Sequence, residues 1–204
     1  SLALYELIKQ GIYDITLLTT ITEEYGRISM HGVREALLEK QARSLGCHLE
    51  KVYLTPESTN EEYEEKIEQT LNRYKSLGVT KMAFGDIFLA DIRDYREKNL
   101  EKIGIQPVFP LWGTDTKELA HTFIDLNFKA VVTCIDTTLL NGEFAGRLYD
   151  QDLLADLPEA IDPCGENGEF HSFVYGGPIF RETINFTVGE KVLRDNRYNF
   201  CDLL

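Results

Sequence analysis

The sequence predicts an α/β fold: a parallel sheet with helices on both faces, followed by a small C-terminal extension of mixed α and β structure. Short apolar runs alternate with amphipathic helical patterns, as they do in βαβ units whose strands lie parallel. The runs are continuously apolar, which is typical of strands buried on both faces. After about residue 140 this alternation stops, and glycines, prolines and carboxylates become frequent. We therefore expect two domains, over residues 1–140 and 141–204.

Each helix is predicted from apolar residues that recur every three or four positions and from a residue able to begin or end it. Thr59 and Glu62 have the spacing of a capping box, and Gly78 closes the stripe that follows them. Asp115 is a second candidate cap. The predicted apolar stripes are Leu4, Leu7 and Ile8; Val33, Leu37, Leu38, Ala42 and Leu45; Tyr63, Ile67, Leu71 and Tyr74; Leu89, Ile92, Leu100 and Ile103; and Leu119, Phe123 and Leu126.

The strands are predicted from short runs of apolar and β-branched residues between these helices. We expect the run at 130–135 to join the parallel sheet. The chain begins directly with a helix, whereas the first strand of a doubly wound fold usually lies near the sheet centre and its loop binds phosphate. We therefore expect a strand and such a loop to precede Ser1. The predicted strands are 15–21, 52–54, 81–84, 108–111 and 130–135, with 184–188 and a strand from residue 198 in the extension.

Composition excludes several classes of function. The net charge is −13 over 204 residues, so we expect no nucleic-acid partner, because phosphate backbones are bound by clustered lysine and arginine. The four cysteines are scattered and form no CxxC pair, which is typical of reduced cytoplasmic thiols. No apolar run approaches the roughly 20 residues of a membrane span, so no membrane association is expected.

The first candidate site follows the strand at 81–84. Ligands of open α/β sheets bind beyond the carboxyl ends of the strands. This rule draws attention to Thr19 and Thr20, to the residues at 133–136, and above all to Asp86 beside Gly85, where the backbone can approach a ligand closely. The alternative interpretation is that Asp86 only caps the helix that starts near Phe88.

The second candidate site is the run Cys-Gly-Glu-Asn-Gly-Glu-Phe-His at 164–171. Glu166 and Glu169 are candidates for binding a metal or an amine, or for acting as a base, and His171 for moving a proton. A glycine-rich turn with solvated acids would give the same pattern. Cys164 and His171 are also candidates for a nucleophile and its general base, but the sequence shows no third residue that would orient them.

Arg93 and Arg96 lie one helical turn apart after Asp86. They are candidates for binding a phosphate or an acidic substrate. The alternative is a solvated helix face on which they pair with Asp94 or Glu97.

Several of these segments together resemble the diphthine–ammonia ligase family of PP-loop ATP pyrophosphatases. The likeness extends over nearly the whole chain. Of that family's phosphate loop, Ser-Gly-Gly-Lys-Asp-Ser, only the last serine has a counterpart here, in Ser1. The segment Ser-Met-His-Gly at 29–32 is similar to a shorter branch of the family. The matching segments are Ala-Phe-Gly-Asp-Ile at 83–87, the arginine-containing helix after it, Pro-Leu-Trp at 110–112, Asp-Pro-Cys-Gly-Glu-Asn-Gly-Glu-Phe-His at 162–171 and Gly-Pro-Ile-Phe at 177–180.

The resemblance implies a Rossmann-like fold of the adenine nucleotide alpha-hydrolase type and an ATP-dependent amide ligase that forms AMP and diphosphate. A carboxylate attacks the α-phosphorus of ATP, and ammonia or an amine then displaces AMP from the acyl-adenylate. ATP and Mg²⁺ are the implied cofactors, and a small-molecule or modified-residue carboxylate is the implied substrate; a homodimer is left open. The alternative is a regulatory module that binds an adenine nucleotide without catalysing a reaction.

The resemblance also implies a role for each candidate residue. Asp86 orients substrate or metal, while Glu166 and Glu169 bind or deprotonate the amine. The cofactor-binding residues implied are Ser1 for a phosphate, Thr19, Thr20 and His31 around the nucleoside, and Gly85. The substrate-binding residues implied are Arg93, Arg96 and His171.

Overall fold

The computed structural model describes residues 1–12 and 14–204, and it confirms the α/β class. Two 3₁₀ turns, at Glu23–Tyr25 and Gly142–Phe144, complete the helical elements among these residues. Within the same residues, no helix has both the length and the apolar character needed to cross a bilayer. The α-helices are α1 (Leu2–Lys9), α2 (Glu35–Leu45), α3 (Asn60–Ser76), α4 (Ala90–Ile103), α5 (Thr116–Asp125) and α6 (Gln151–Asp156).

The strands form three sheets. The first has the order β2-β1-β3, the second is the pair β4-β5, and the third has the order β7-β6-β9-β8. The first sheet contains β1 (Thr16–Thr22), β2 (Arg27–Ile28) and β3 (His48–Leu54); the second β4 (Lys81–Ala83) and β5 (Gln106–Val108); the third β6 (Lys129–Asp136), β7 (Phe170–Gly176), β8 (Val188–Arg194) and β9 (Tyr198–Leu203).

The two N-terminal sheets contain the parallel pairs that the alternating pattern predicts. β1 runs parallel to β3 along its whole length, and β4 runs parallel to β5. On its other side β1 pairs with β2 only at Ile21 and Thr22. β1 and β4 both line one cleft, but no described residue pairs them with each other. A single continuous Rossmann-like sheet therefore stays a prediction, as does the strand expected before Ser1.

The third sheet corrects the expectation for the run at 130–135. That run is a strand, β6, but it is antiparallel to β7 and β9 and does not join the parallel sheet. Buried central strands of either kind of sheet are apolar throughout, so periodicity cannot reveal the partner. Residues 133–136 are accordingly buried in the antiparallel sheet. The runs at 184–188 and 108–111 are also corrected, because β8 only begins at Val188 and β5 already ends at Val108.

The two helix caps predicted at Thr59 and Asp115 are confirmed. Thr59 Oγ1 accepts the backbone N–H of Glu62, and the Glu62 carboxylate accepts that of Thr59, which completes the predicted capping box of α3. Asp115 caps α5 by accepting the N–H of Glu118. Such caps satisfy N–H groups that have no partner inside the helix.

The segment from β2 to the start of α2 packs against β9. Arg27 and Arg34 both contact Asp202, at 2.8 Å and 2.5 Å. Gly32 lies against the Phe200 ring and leaves no room there for a side chain. These contacts join the parallel part to the antiparallel part. The division at residue 140 stays a prediction, although β6 lies before it and pairs with strands that follow it.

Candidate functional site

Asp86 lies in the connection between β4 and α4. Its side chain is only 11% exposed. It does not cap the helix, because Leu89 occupies the N-cap position of α4 and no side chain caps that helix. The helix-cap alternative is therefore wrong. The Asp86 carboxyl is largely buried after the end of a parallel strand, β4, and caps no helix.

Glu166 reaches the same point from the C-terminal part of the chain. Its Oε1 accepts the backbone N–H of Ile87 at 2.7 Å, directly beside Asp86. Burial raises the pKa of Glu166, and the negative charge of Asp86 raises it further, while the hydrogen bond from Ile87 opposes them. A carboxyl whose pKa is raised by burial and by a neighbouring acid is a better proton acceptor than an ordinary glutamate, which is the property that a general base needs.

Arg96 of α4 faces Asp86. Its Nε lies 2.8 Å from Asp86 Oδ2, and its Nη2 donates to Oδ1 at 3.2 Å. Within the described residues Nε and Oδ2 complete no hydrogen bond, because the Nε–H is not directed at that oxygen. Oδ2 is therefore a buried oxygen that accepts no hydrogen bond and lies beside the Arg96 guanidinium.

Glu169, the third predicted catalytic acid, has a different environment. It is 3% exposed, and its oxygens accept hydrogen bonds from the backbone of Asp162 and from the backbone and side chain of Asn167. No described contact joins it to Asp86 or Glu166. The catalytic role of Glu169 stays a prediction. Its hydrogen bonds indicate that it stabilises the conformation of the loop that carries Glu166.

A cleft of about 470 Å³ lies between β1, β4, α3 and α4. Gly85 lines it and also lines a smaller cavity of about 220 Å³, so Gly85 lies between the two, whereas Asp86 and Glu166 are not among the residues that line either cavity. The sequence suggested that Thr19 and Thr20 lie beyond the end of a strand. They lie within β1 instead, but both line the cleft. Of the predicted residues, Thr19, Thr20, His31, Gly85 and Arg96 line the cleft, while Ser1 and Gly85 line the smaller cavity.

The smaller cavity has mostly apolar walls and contains Cys164. The Cys164 thiol donates to the backbone oxygen of Thr116 at 3.3 Å. Burial, with nearby Asp162, raises the pKa of Cys164 to about 12, so the thiol stays protonated at neutral pH. The interpretation of Cys164 as a nucleophile is therefore disfavoured.

His31 and His171 meet at the side of the cleft, with ring centroids 4.5 Å apart. Burial, then the charge of His171, lowers the pKa of His31 to about 4, and burial lowers that of His171. Both imidazoles are thus neutral at pH 7 and can donate or accept hydrogen bonds. The sequence placed them in separate sites, one for the nucleoside and one for the substrate, whereas the structure brings them together.

Arg93 contacts an acidic side chain and two aromatic rings. Its Nε donates to Glu97 at 2.7 Å, as one alternative proposed, and its guanidinium stacks on Phe109 and Trp112. Trp112 is therefore part of a stack with a cation. The sequence missed Phe84 and Phe109, because single aromatic residues at strand ends have no distinctive spacing.

The fit of a metal ion is limited. The described ranges, 1–12 and 14–204, contain no group of three His, Cys, Asp or Glu that could hold one. Mg²⁺ usually takes one or two carboxylates and completes its shell with water and substrate phosphates. The carboxylates of Asp86 and Glu166 match that small number of protein ligands, but Asp86 is already paired with the Arg96 guanidinium.

Comparison with known families agrees with the motifs found in the sequence. Residues 1–107 match the model for the diphthamide synthase N-terminal domain, and residues 115–203 match that for the diphthamide synthase C-terminal domain. The chain is also similar to three proteins named diphthine–ammonia ligase. The identities are 24% over 111 residues in Rattus norvegicus, 26% over 111 residues in Homo sapiens and 26% over 102 residues in Bos taurus.

These alignments cover 52%, 52% and 47% of this chain, and 42%, 42% and 38% of the relatives. The matched region thus spans less than half the length of each relative. The resemblance predicted from the motifs is confirmed by the two domain matches, which follow one another in the expected order. Because the N-terminal match alone covers more than half of the 204 residues, the chain belongs to the diphthamide synthase family.

Proposed function

We propose that this chain binds ATP and activates a carboxylate, which it then transfers to ammonia or an amine. The observation that carries the proposal is the meeting of Asp86 and Glu166 at the Ile87 N–H, directly after Gly85, which lines both cavities. Two distant parts of the sequence thus supply one acidic pair at the end of a parallel strand. Three relatives named diphthine–ammonia ligase support a ligase of this kind.

ATP supplies the activation: a carboxylate oxygen bonds to its α-phosphorus, diphosphate leaves, and the amine nitrogen later displaces AMP from the carbonyl carbon. Ammonium must first lose a proton, since it has no lone pair to attack with. Glu166 accepts that proton, and its raised pKa suits the transfer. The Oδ2 of Asp86 orients the nitrogen or a metal ion. Mg²⁺, when bound, would neutralise phosphate charge.

The remaining residues bind and orient. Thr19, Thr20 and neutral His31 face the nucleoside in the larger cleft, with His171 beside them. Ser1 holds a phosphate at the smaller cavity. Glu169 keeps the loop in shape for Glu166. Residues 1–140 bind the nucleotide and residues 141–204 present the acidic loop. The substrate is a small-molecule or modified-residue carboxylate.

The proposal is tested with α-labelled ATP, Mg²⁺, ammonium and a panel of carboxylates that includes diphthine. We expect AMP to form only when ammonium and one acid are both present. Glu166→Gln removes the base and lowers the rate about 100-fold or more, as loss of a general base does. Glu159→Gln, an exposed acid before the same loop, leaves the rate unchanged.

Two outcomes would contradict the proposal. If Glu166→Gln and the unchanged protein formed AMP at equal rates, Glu166 would not be the base of the reaction. Binding of ATP without AMP formation under every condition would favour the regulatory module that binds an adenine nucleotide without turnover.

A further inference from the structure

β8 is the outer strand of the antiparallel sheet. It pairs with β9 in a regular register from Lys191 to Arg194, and among the described residues no strand pairs with its other edge. An outer strand presents backbone N–H and C=O groups that can pair with a further strand. The outer edge of β8 can therefore accept one more strand.

Exposed apolar side chains lie in and beside β8. Val188 and Leu193 of this strand are 47% and 52% exposed. Val188 lies beside Gly146, and the two leucines on either side of that glycine in the sequence, Leu139 and Leu148, are 50% and 49% exposed. A strand added to β8 would thus be placed next to apolar surface that water now covers.

Glu190 and Arg194 carry opposite charges on one face of β8, each two residues from Val192, because side chains two residues apart on a strand point the same way. Both are exposed, and in the described part of the chain neither forms an ion pair. Lys191 points to the other face, where it donates to the backbone oxygen of Glu143 at 3.4 Å. The strand therefore has one acid and one base without partners, at equal distances from Val192.

Antiparallel pairing of two β8 strands about a two-fold axis at Val192 matches these charges. In that register Glu190 of each copy lies opposite Arg194 of the other, and both ion pairs form together because a two-fold interface repeats every contact. Opposite charges at directly opposed positions stabilise paired strands. The register of β8 against β9 shifts between Val188 and Lys191, which limits regular pairing to a short stretch and predicts a small, weak interface.

We propose that two copies of this chain associate edge to edge through β8, with Glu190 and Arg194 paired across the two-fold axis. A second copy fits this edge because the edge carries both members of the ion pair. The two four-stranded sheets then join into one, and neither copy keeps an open edge at β8. No residue of β8 lines either cavity, so the association is independent of the proposed reaction.

Sedimentation velocity at rising protein concentration measures the association. We expect the unchanged protein to form a reversible dimer. Glu190→Arg and Arg194→Glu should each weaken it about 10-fold or more, because two attractions become two repulsions. An equimolar mixture of the two variants should regain the dimer, since one copy then carries both cations and the other both acids. Glu159→Arg makes the same change at an exposed position outside β8 and should leave the association unchanged.

Hydrogen exchange locates the interface. Backbone amides at 190–194 should exchange more slowly as the protein concentration rises, because their outward N–H groups become bonded. Amides of β7, at the opposite side of the same sheet, should not change. A protein that stays monomeric up to about 1 mM would overturn the proposal. So would a dimer that either variant keeps at full strength, or a mixture of the two variants that does not regain it.

Discussion

Glu166 and Glu169 lie in the same glycine-rich loop, three residues apart, and the sequence assigned them one role. Glu166 reaches out to the Ile87 N–H beside Asp86, whereas Glu169 turns inward and binds the backbone of its own loop. The direction of each side chain depends on how the loop folds, which spacing does not show. The acidic pair was thus half predicted: the sequence named both Asp86 and Glu166 but placed them in two separate candidate sites, and it gave Glu169 the same role as Glu166.

The environment of Glu169 gives a prediction about stability. Glu169→Gln replaces one accepting oxygen by an N–H₂ group, which then faces backbone donors in a buried place. We expect a loss of about 1–3 kcal/mol in the free energy of unfolding, the usual cost of an unsatisfied buried polar group. Urea unfolding at pH 7 measures it, with Glu159→Gln as the exposed control. A variant as stable as the original protein would show that the loop does not depend on this carboxylate.

At the scale of elements, the sequence predicted helices and strands better than it predicted their partners. Helix ends depend on residues next to them in the chain, so Thr59 and Asp115 could be read as caps. Pairing of β6 depends on strands that lie about 35 or more residues later in the chain, and its apolar character suits either kind of sheet. The cleft between β1 and β4 could likewise not be read from either strand alone.

The end of β6 carries an ion pair whose contribution depends on pH. Asp136 is 3% exposed and accepts two hydrogen bonds from Arg197, which lower its pKa from 3.8 to about 2. A depressed folded-state pKa stabilises the fold above pH 4, and this stabilisation is lost as the pH falls towards 2. Asp136→Asn should therefore cost about 1–2 kcal/mol at pH 7, since Arg197 is half exposed.

Urea unfolding of Asp136→Asn and of the unchanged protein at several pH values tests this. The difference in stability between them should shrink between pH 4 and pH 2. Asp125→Asn, at an exposed position at the end of α5, should give no such convergence. A difference that stays constant down to pH 2 would mean that the carboxylate charge of Asp136 does not contribute.

At the scale of the whole molecule, the candidate site exists because the parallel and antiparallel parts are held together. Asp86, Thr19 and Thr20 come from the parallel part, and Glu166 and His171 come from the part that carries the antiparallel sheet. The segment at 27–34 connects them through Asp202 and Phe200, and His31 within it reaches His171. The sequence could name both halves of the site, but a contact between segments so far apart in the chain leaves no local pattern.

Gly32 provides the sharpest test of this packing. Its φ is +69°, and a Cβ there would lie 2.5 Å from the Phe200 ring. Gly26, with a φ of +57°, has open space around it, so Gly26→Ala pays only the strain of a left-handed conformation, about 1–2 kcal/mol. Gly32→Ala must also move the ring, and overpacking of this kind typically costs about 1–3 kcal/mol more.

Both glycine variants are compared by urea unfolding and by the NMR signals of His31 and His171. We expect Gly32→Ala to be the less stable of the two and to shift both histidine signals, because the displaced segment carries His31 away from its partner. Gly26→Ala should leave those signals in place. Equal losses of stability with unmoved histidine signals would show that the contact between Gly32 and Phe200 does not hold the two parts in register, and that the site is assembled by other contacts.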